Sequence, residues 1–236
     1  MATDSPSRTD ARLVAVAHGT RHPVGNRIAA ELTRLAGERL GAAAEVAYVE
    51  LCDPLLETVL AADVPEPTVV VPLLLSTGYH VRVDLPAAAA AAPGHVVLTE
   101  PLGPDPLLAS AQADRLLSAG ARRDQPVTMV AAGSQDPAAL PELERAAELL
   151  AAVWDAPVRL ATLGGLGPRP ADVVRPGDAV SPYLLAPGFF ATRCAEETRA
   201  AGAVSIAEVI GVHAQVVDLV VARFVAAVDR VARGAG

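Results

Sequence analysis

Residues 73–86 read LLLSTGYHVRVDLP and continue the apolar run VVVP at 69–72. A continuous apolar run of this kind is typical of a parallel strand that is covered on both faces. Ligands of parallel α/β sheets bind just beyond the carboxyl ends of such strands. His80 and Arg82 fall at that edge. This stretch therefore predicts both the fold class and the place of the functional site.

Two earlier apolar runs end in a similar way. LVAVAHGTR at 13–21 delivers His18, and VAYVE at 46–50 delivers Glu50. Each residue alone has an ordinary explanation, because histidines often bond in turns and a glutamate at a strand end is usually solvated. Together, two imidazoles and a carboxylate at three strand ends form a ligand set that suits divalent iron, cobalt, nickel or zinc. The sequence thus predicts a metal site of His18, Glu50 and His80.

Short β-branched apolar runs alternate with longer Ala-, Leu- and Glu-rich stretches of helical period from Arg12 onward. Such alternation is typical of a parallel sheet with right-handed crossovers. The pattern predicts strands at 12–17, 45–49, 68–75 and 95–99, and helices at 24–41, 53–62, 82–92 and 104–119.

The pattern begins again after the polar stretch GARRDQP at 120–126. Three segments of the second half align in order with three of the first: VTMVAAGSQDP (127–137) with LVAVAHGTRHP (13–23), SPYLLAPGFFATR (181–193) with VPLLLSTGYHVR (71–82), and VSIAEVIG (204–211) with VVLTEPLG (96–103). Matches in the same order indicate an internal duplication. We therefore expect two similar parallel-sheet α/β domains, residues 1–119 and 125–236.

The two copies differ at the candidate ligands. His18 aligns with Ala132, His80 aligns with Phe190, and the strand VRLATL at 158–163 carries no acid. If these side chains served only the fold, the second copy would have had the same reason to contain them. The first domain is thus predicted to carry the site, and the second to be a structural partner that helps to enclose the ligand.

Composition excludes several classes of function. The formal net charge of -8 argues against a nucleic-acid partner, since phosphate binding needs clustered positive charge. All 19 basic residues are arginine, so Schiff-base chemistry on lysine is excluded. Cys52 and Cys194 lie far apart, which favours a reduced pair. No apolar run approaches the roughly 20 residues of a membrane span, so a soluble, cytoplasmic protein is expected.

Polar and small residues beside the two histidines are candidates for binding an anionic ligand. Arginine suits bidentate binding of carboxylates, and hydroxyl groups can add hydrogen bonds or can simply cap helices. The predicted ligand-binding residues are Thr20, Arg21, Ser76, Thr77, Gly78, Tyr79 and Arg82. GGLG at 164–167 does not have the spacing of a dinucleotide loop and precedes Pro168, so no organic cofactor is expected.

Four segments resemble the class II tetrapyrrole chelatases of the sirohydrochlorin chelatase type: AHGTR (17–21), YVELCDPLL (48–56), VVPLLLSTGYHVRVDLP (70–86) and EPLGPDPLL (100–108). GYHVRVDLP with the upstream HG is the most specific part. The resemblance covers the first half well and the second half as a degenerate repeat.

The resemblance implies two domains that face each other across a cleft, and insertion of Fe2+ or Co2+ into sirohydrochlorin for sirohaem or cobalamin biosynthesis. By position, His18 and His80 match the two metal-binding and catalytic histidines of the family, and Glu50 matches its metal-associated acid. His22 and Asp105 depart from the family pattern. A monomer with pseudo-two-fold halves is expected, with the divalent ion as a substrate.

Two other classes stay open at this point. A histidine phosphatase also places His and Gly after its first strand, but its chemistry needs an arginine directly before the histidine, where this chain has Ala17. A metal or tetrapyrrole carrier would use the same ligands without turnover.

Overall fold

The computed structural model describes residues 11–234, so the first ten residues of the predicted first domain lie outside the described part. Two parallel four-stranded sheets form its framework. The first sheet contains β1 (Arg12–Ala17), β2 (Ala44–Tyr48), β3 (Thr68–Pro72) and β4 (Val96–Leu98). The second contains β5 (Val127–Ala131), β6 (Val158–Thr162), β7 (Ala179–Tyr183) and β8 (Ser205–Ile206).

Both sheets have the same topology. The strand order is β2-β1-β3-β4 in the first sheet and β6-β5-β7-β8 in the second, and all pairings are parallel. The predicted α/β class with two parallel-sheet halves is confirmed, and the equal strand order agrees with the proposed duplication.

Eight α-helices connect and cover the strands within residues 11–234. They are α1 (Pro23–Leu40), α2 (Leu56–Leu60), α3 (Leu85–Ala91), α4 (Pro106–Ser118), α5 (Ala139–Trp154), α6 (Pro170–Val173), α7 (Phe189–Ala200) and α8 (Ala214–Gly234). A π-helical turn, His80–Asp84, runs directly into α3. In this described part, none of the helices is both long and apolar enough to span a membrane.

Strand β1 shows why its apolar run has no polar face. Side chains alternate between the faces of a strand, so Leu13 and Ala15 point to one side while Val14 and Val16 point to the other. Leu13 and Ala15 belong to a large core that joins both halves, whereas Val14 and Val16 pack in a smaller core with α2 and α3. The strand is therefore buried on both faces, as its sequence predicts.

The two halves exchange their last helices. Helix α4 follows the first sheet in sequence but packs against β7 of the second, and α8 packs against β3 of the first. Polar contacts accompany the exchange: Gln112 donates to the Ser181 hydroxyl at 2.8 Å, and the Arg223 guanidinium donates to the Pro101 carbonyl at 3.2 Å. Each sheet thus depends on the other half for part of its cover.

Several element boundaries differ from those predicted. The strand predicted at 68–75 ends at Pro72, although the apolar run continues, because the Leu74 carbonyl accepts from the amides of Leu102 and Gly103 in a loop and not from a neighbouring strand. The helix predicted at 53–62 covers only 56–60, since the Pro54 carbonyl accepts a hydrogen bond from the Tyr48 amide and keeps this stretch extended.

The predicted helix 82–92 begins instead as the π-helical turn at His80. Pro86 has no amide hydrogen and cannot donate to the Arg82 carbonyl in the α-helical pattern. The Leu85 amide donates to the His80 carbonyl, which lies five residues back. The helix predicted at 104–119 starts at Pro106, where the Asp105 carboxylate accepts from the Leu107 amide and caps α4.

Removing a ring from the shared core tests the importance of the exchanged helices. Phe224 of α8 is fully buried, whereas the neighbouring Val225 is 42% exposed. Phe224→Ala should lower the free energy of unfolding by about 3–5 kcal/mol, which corresponds to a melting temperature lower by about 6–20 °C for a chain of this size. Val225→Ala is the matched control and should stay within about 1 °C of the original protein in calorimetry. Equal effects of both substitutions would contradict the packing described for α8.

Candidate active site

Three side chains converge where the strands of the first sheet end. His18 follows β1, Glu50 follows β2, and His80 begins the π-helical turn after β3. Because β1 pairs with both β2 and β3, these three chain reversals are neighbours at one edge of the sheet. The predicted grouping of the three residues is therefore present.

The distances within this cluster fit a small cation. One ligand atom each of His18, Glu50 and His80 lies within 4.8 Å of the others. The imidazole rings stand edge to face with centroids 4.9 Å apart, and His18 Nε2 lies 3.5 Å from Glu50 Oε1. The side chains of His18 and Glu50 are about half exposed, so an ion has access from solvent. Three protein ligands leave coordination positions open, as in catalytic metal sites.

The turn after β1 requires glycine at residue 19. Gly19 has a φ of +92°, and a Cβ at this position would lie 1.8 Å from the Glu50 carbonyl oxygen. No other residue allows the two turns to approach so closely. The Glu50 amide also donates to the His18 carbonyl at 3.1 Å. The backbone thereby sets the distance between these two candidate ligands.

Asn26 of α1 holds the same turn from its other side. Its side-chain oxygen accepts from the Thr20 amide at 3.1 Å, and its side-chain nitrogen donates to the Thr20 carbonyl at 2.8 Å. The Tyr48 hydroxyl donates to the Asn26 carbonyl at 3.2 Å. Sequence reasoning missed Asn26, whose signal is only a polar residue within the first turns of a helix.

Asp84 is a second residue that sequence reasoning missed. Its carboxylate lies 2.6 Å from His80 Nδ1. A carboxylate that accepts from one ring nitrogen fixes the tautomer and leaves the lone pair of Nε2 free for a metal ion. By contrast, His18 Nδ1 faces only the carbonyl of its neighbour Gly19 at 3.2 Å. The spacing of four residues from His80 to Asp84, one helical turn, is the signal available in the sequence.

A cleft of about 860 Å³ opens beside the two histidines and lies between the halves. Both halves contribute its walls: residues 17–21, 25, 26, 29, 51 and 73–81 from the first, and residues 131–136, 143 and 183–190 from the second. The expectation that the two domains face each other across a cleft is thus met.

Most of the predicted ligand-binding residues line this cleft, namely Thr20, Arg21, Ser76, Thr77, Gly78 and Tyr79. The Thr77 amide is already paired with the Glu142 carboxylate of the second half. Arg82 is not among the lining residues, and its guanidinium forms an ion pair with Asp136 across the two halves. Its role as a carboxylate anchor stays a prediction, and the pair gives it a structural role as well.

The two residues that depart from the chelatase family pattern, His22 and Asp105, lie outside the cleft. His22 is exposed and precedes α1 without capping it, and its amide donates to the Thr20 hydroxyl at 3.1 Å. Asp105 caps α4 and also lies 3.3 Å from the Arg223 guanidinium of α8.

A buried tyrosine of the second half supports the loop that precedes His80. The Tyr183 hydroxyl donates to the Leu75 carbonyl at 3.0 Å. Burial, together with the carboxylates of Glu142 and Asp105, raises the pKa of Tyr183 far above its usual value. The hydroxyl therefore stays protonated and remains a donor to the loop.

The second half repeats the backbone of the site without its ligands. Gly164 donates its amide to the Ala132 carbonyl at 2.9 Å, as Glu50 does to His18. A Cβ on Gly133 would lie 1.9 Å from the Gly164 carbonyl oxygen, as for Gly19. The turn geometry is therefore kept where the functional side chains are absent.

Burial raises the pKa of the Cys194 thiol in this half to about 12, and both Cys52 and Cys194 are free.

Several solved structures of chelatases are similar to this chain in fold. SirB from Bacillus subtilis with Fe3+ has a TM-score of 0.79 and 23% identity, over 92% of this chain and 95% of that one. SirB from Bacillus subtilis subspecies spizizenii in complex with cobalt has a TM-score of 0.74 and 23% identity, over 93% and 95% of the two chains. CbiX, described as the terminal enzyme for biosynthesis of siroheme in denitrifying bacteria, has a TM-score of 0.65 and 21% identity, over 92% and 98%.

The two facing sheets thus define a protein with the fold of the two-domain class II chelatases. Residues 12–119, which hold the His–Glu–His cluster, match the CbiX family model. The comparison with curated proteins finds no match.

Loss of the Asp84 carboxylate should weaken metal binding although His18, Glu50 and His80, the three candidate metal ligands, all remain. Asp84→Ala leaves His80 Nδ1 without its partner, and the loss of such a partner typically costs about 10–100-fold in metal affinity. Titration with Co2+ followed by absorption measures the dissociation constant. Asp63→Ala, at an exposed position outside the cleft, is the control and should bind Co2+ as the original protein does. Unchanged affinity in Asp84→Ala would show that the contact with His80 does not position it.

Proposed function

We propose that this chain is a sirohydrochlorin chelatase that inserts a divalent ion, Fe2+ by preference and Co2+ next, into sirohydrochlorin in sirohaem or cobalamin biosynthesis. The observation that carries the proposal is the cluster of His18, Glu50 and His80 at the edge of the cleft. The matches to SirB and CbiX in fold support the same reaction class.

In this proposal the ion is a substrate that the protein holds briefly. The Nε2 atoms of His18 and His80 and one carboxylate oxygen of Glu50 are its ligands, while the open positions receive the pyrrole nitrogens. A closed set of four protein ligands would hold the ion too firmly to release it. Three ligands, two of them half exposed, favour transfer.

The two histidines have different surroundings and are assigned different tasks. His80 is oriented by Asp84 and acts as the fixed ligand. His18 is more exposed, with a weak partner on one side and Glu50 on the other. Insertion of a divalent ion releases two pyrrole protons, so the charge is conserved. When the ion passes to the pyrrole nitrogens, the lone pairs of His18 Nε2 and the Glu50 carboxylate that held it become free, and these two groups can then accept the two protons.

The charge of the substrate sets a further requirement. Sirohydrochlorin carries eight carboxylates, and the chain itself has a net charge of -8, so binding needs local positive charge. Among the described residues that line the cleft, Arg21 is the one arginine, and it is exposed. We assign it to a substrate carboxylate, with Arg82 as a second anchor if its pair with Asp136 opens.

The proposed division into an active domain, 1–119, and a degenerate domain, 125–236, is compatible with this assignment. All three proposed ligands come from the first domain. The exchanged helices α4 and α8 mean that the two domains act as one folded unit, in which the second supplies a wall of the cleft.

Incubation with sirohydrochlorin and Fe2+ or Co2+, followed by absorption, tests the proposal. His18→Ala and His80→Ala should each lower the insertion rate by about 100-fold or more, since each removes a ligand, and the first also removes a proton acceptor. Glu50→Gln should be milder and should chiefly weaken metal affinity.

His95→Ala is the matched control, because His95 is exposed and lies outside the cleft. It should retain the full rate. Near-normal turnover in His18→Ala or His80→Ala would refute the assignment. Binding of both the ion and sirohydrochlorin without the absorption change that accompanies metal insertion would instead identify a carrier.

A further inference from the structure

The aromatic residues of this chain fall into two sharply separated groups. The chain has one Trp, three Tyr and three Phe. Four of them are at most 4% exposed, namely Tyr48, Trp154, Tyr183 and Phe224. The other three, Tyr79, Phe189 and Phe190, are 64%, 72% and 42% exposed, and all three line the cleft.

Adjacent exposed phenylalanines are unusual, because phenylalanine is strongly favoured in the interior and large apolar patches mark binding sites. Phe189 and Phe190 are the first two residues of α7, and their rings pack edge to face with centroids 5.4 Å apart. The two rings contact each other, and each still has exposed surface that lines the cleft.

The loop before this pair lies against the turn that carries His18. A Cβ on Gly25 would lie 3.0 Å from the Pro187 carbonyl oxygen, and one on Gly188 would lie 3.7 Å from the Thr20 hydroxyl. The second half therefore delivers Phe189 and Phe190 beside the candidate metal ligands. From the first half, Tyr79 stands next to His80, with ring centroids 6.3 Å apart.

The duplication adds an independent observation. In the alignment of the two halves, Phe189 and Phe190 occupy the positions of Tyr79 and His80. The second copy thus has a ring in place of the ligand and keeps the aromatic neighbour. A wall that served only to close the cleft would not need two exposed rings.

We propose that Tyr79, Phe189 and Phe190 form an aromatic seat for the face of the tetrapyrrole macrocycle, and that the second half thereby provides substrate binding. This inference rests on the proposed function, since it names the subsite of the same substrate. A flat conjugated ligand stacks favourably on aromatic side chains in offset or edge-to-face arrangements. The ligand's carboxylates would remain at the open rim, where Arg21 lies.

Equilibrium binding of sirohydrochlorin without metal tests the seat. Phe189→Ala and Phe190→Ala should each weaken binding by about 10-fold and raise the KM, because each removes stacking and apolar contact. Phe189→Trp, which keeps an aromatic face, should bind within about 2-fold of the original protein. Affinity for Co2+ alone and melting temperature should not change in any of these variants.

Val204→Ala is the control, because Val204 is 68% exposed and lies outside the cleft. Unchanged sirohydrochlorin affinity in both alanine variants would overturn the seat, as would a parallel loss of Co2+ affinity. Light scattering adds a further arm: if the alanine variants convert a dimer to a monomer without changing sirohydrochlorin affinity, the rings serve self-association and the proposal is wrong.

The two proposals fail in distinguishable ways. If the original protein binds sirohydrochlorin through these rings but inserts no metal, the seat stands and the chelatase reaction falls. If it inserts metal and the alanine variants do so with unchanged KM, the reaction stands and the seat falls.

Discussion

Parallel pairing of β1 with both β2 and β3 is the constraint on which the site depends. It places three chain reversals at one edge, so side chains 30 or more residues apart in sequence become neighbours. The close approach of Gly19 to the Glu50 carbonyl then sets the spacing of two of them. The cluster of His18, Glu50 and His80 follows from this backbone, which the second half repeats with Ala132 and Gly164.

In the proposed function, the duplicated fold separates two requirements that would conflict in one surface. A metal ligand set needs polar, half-exposed groups, whereas a macrocycle face favours apolar rings. One half here has the imidazoles and the carboxylate, and the other has Phe189 and Phe190. The exchanged helices α4 and α8 pack each half against the sheet of the other.

Much of this organisation could be predicted from local pattern. The run at 12–17 matches β1. The repeated segments predict two similar halves, because buried strands and the glycines of the turns after them recur in the same order in both halves of the sequence. The π-helical turn at His80 could not be predicted, because a pattern of apolar residues does not distinguish a hydrogen bond that reaches five residues back, as from Leu85 to His80, from one that reaches four residues back. The helix exchange also escaped prediction, because helical periodicity shows which face is buried but not which sheet covers it. Asn26 and Asp84 escaped because their roles depend on partners that only the fold identifies.

Anomalous diffraction from a crystal grown with Co2+ tests the central claim most directly. We predict one strong peak within coordination distance, about 2.0–2.2 Å, of Nε2 of His18, Nε2 of His80 and a carboxylate oxygen of Glu50. A peak elsewhere in the chain, with these three side chains uncoordinated at saturating Co2+, would contradict it.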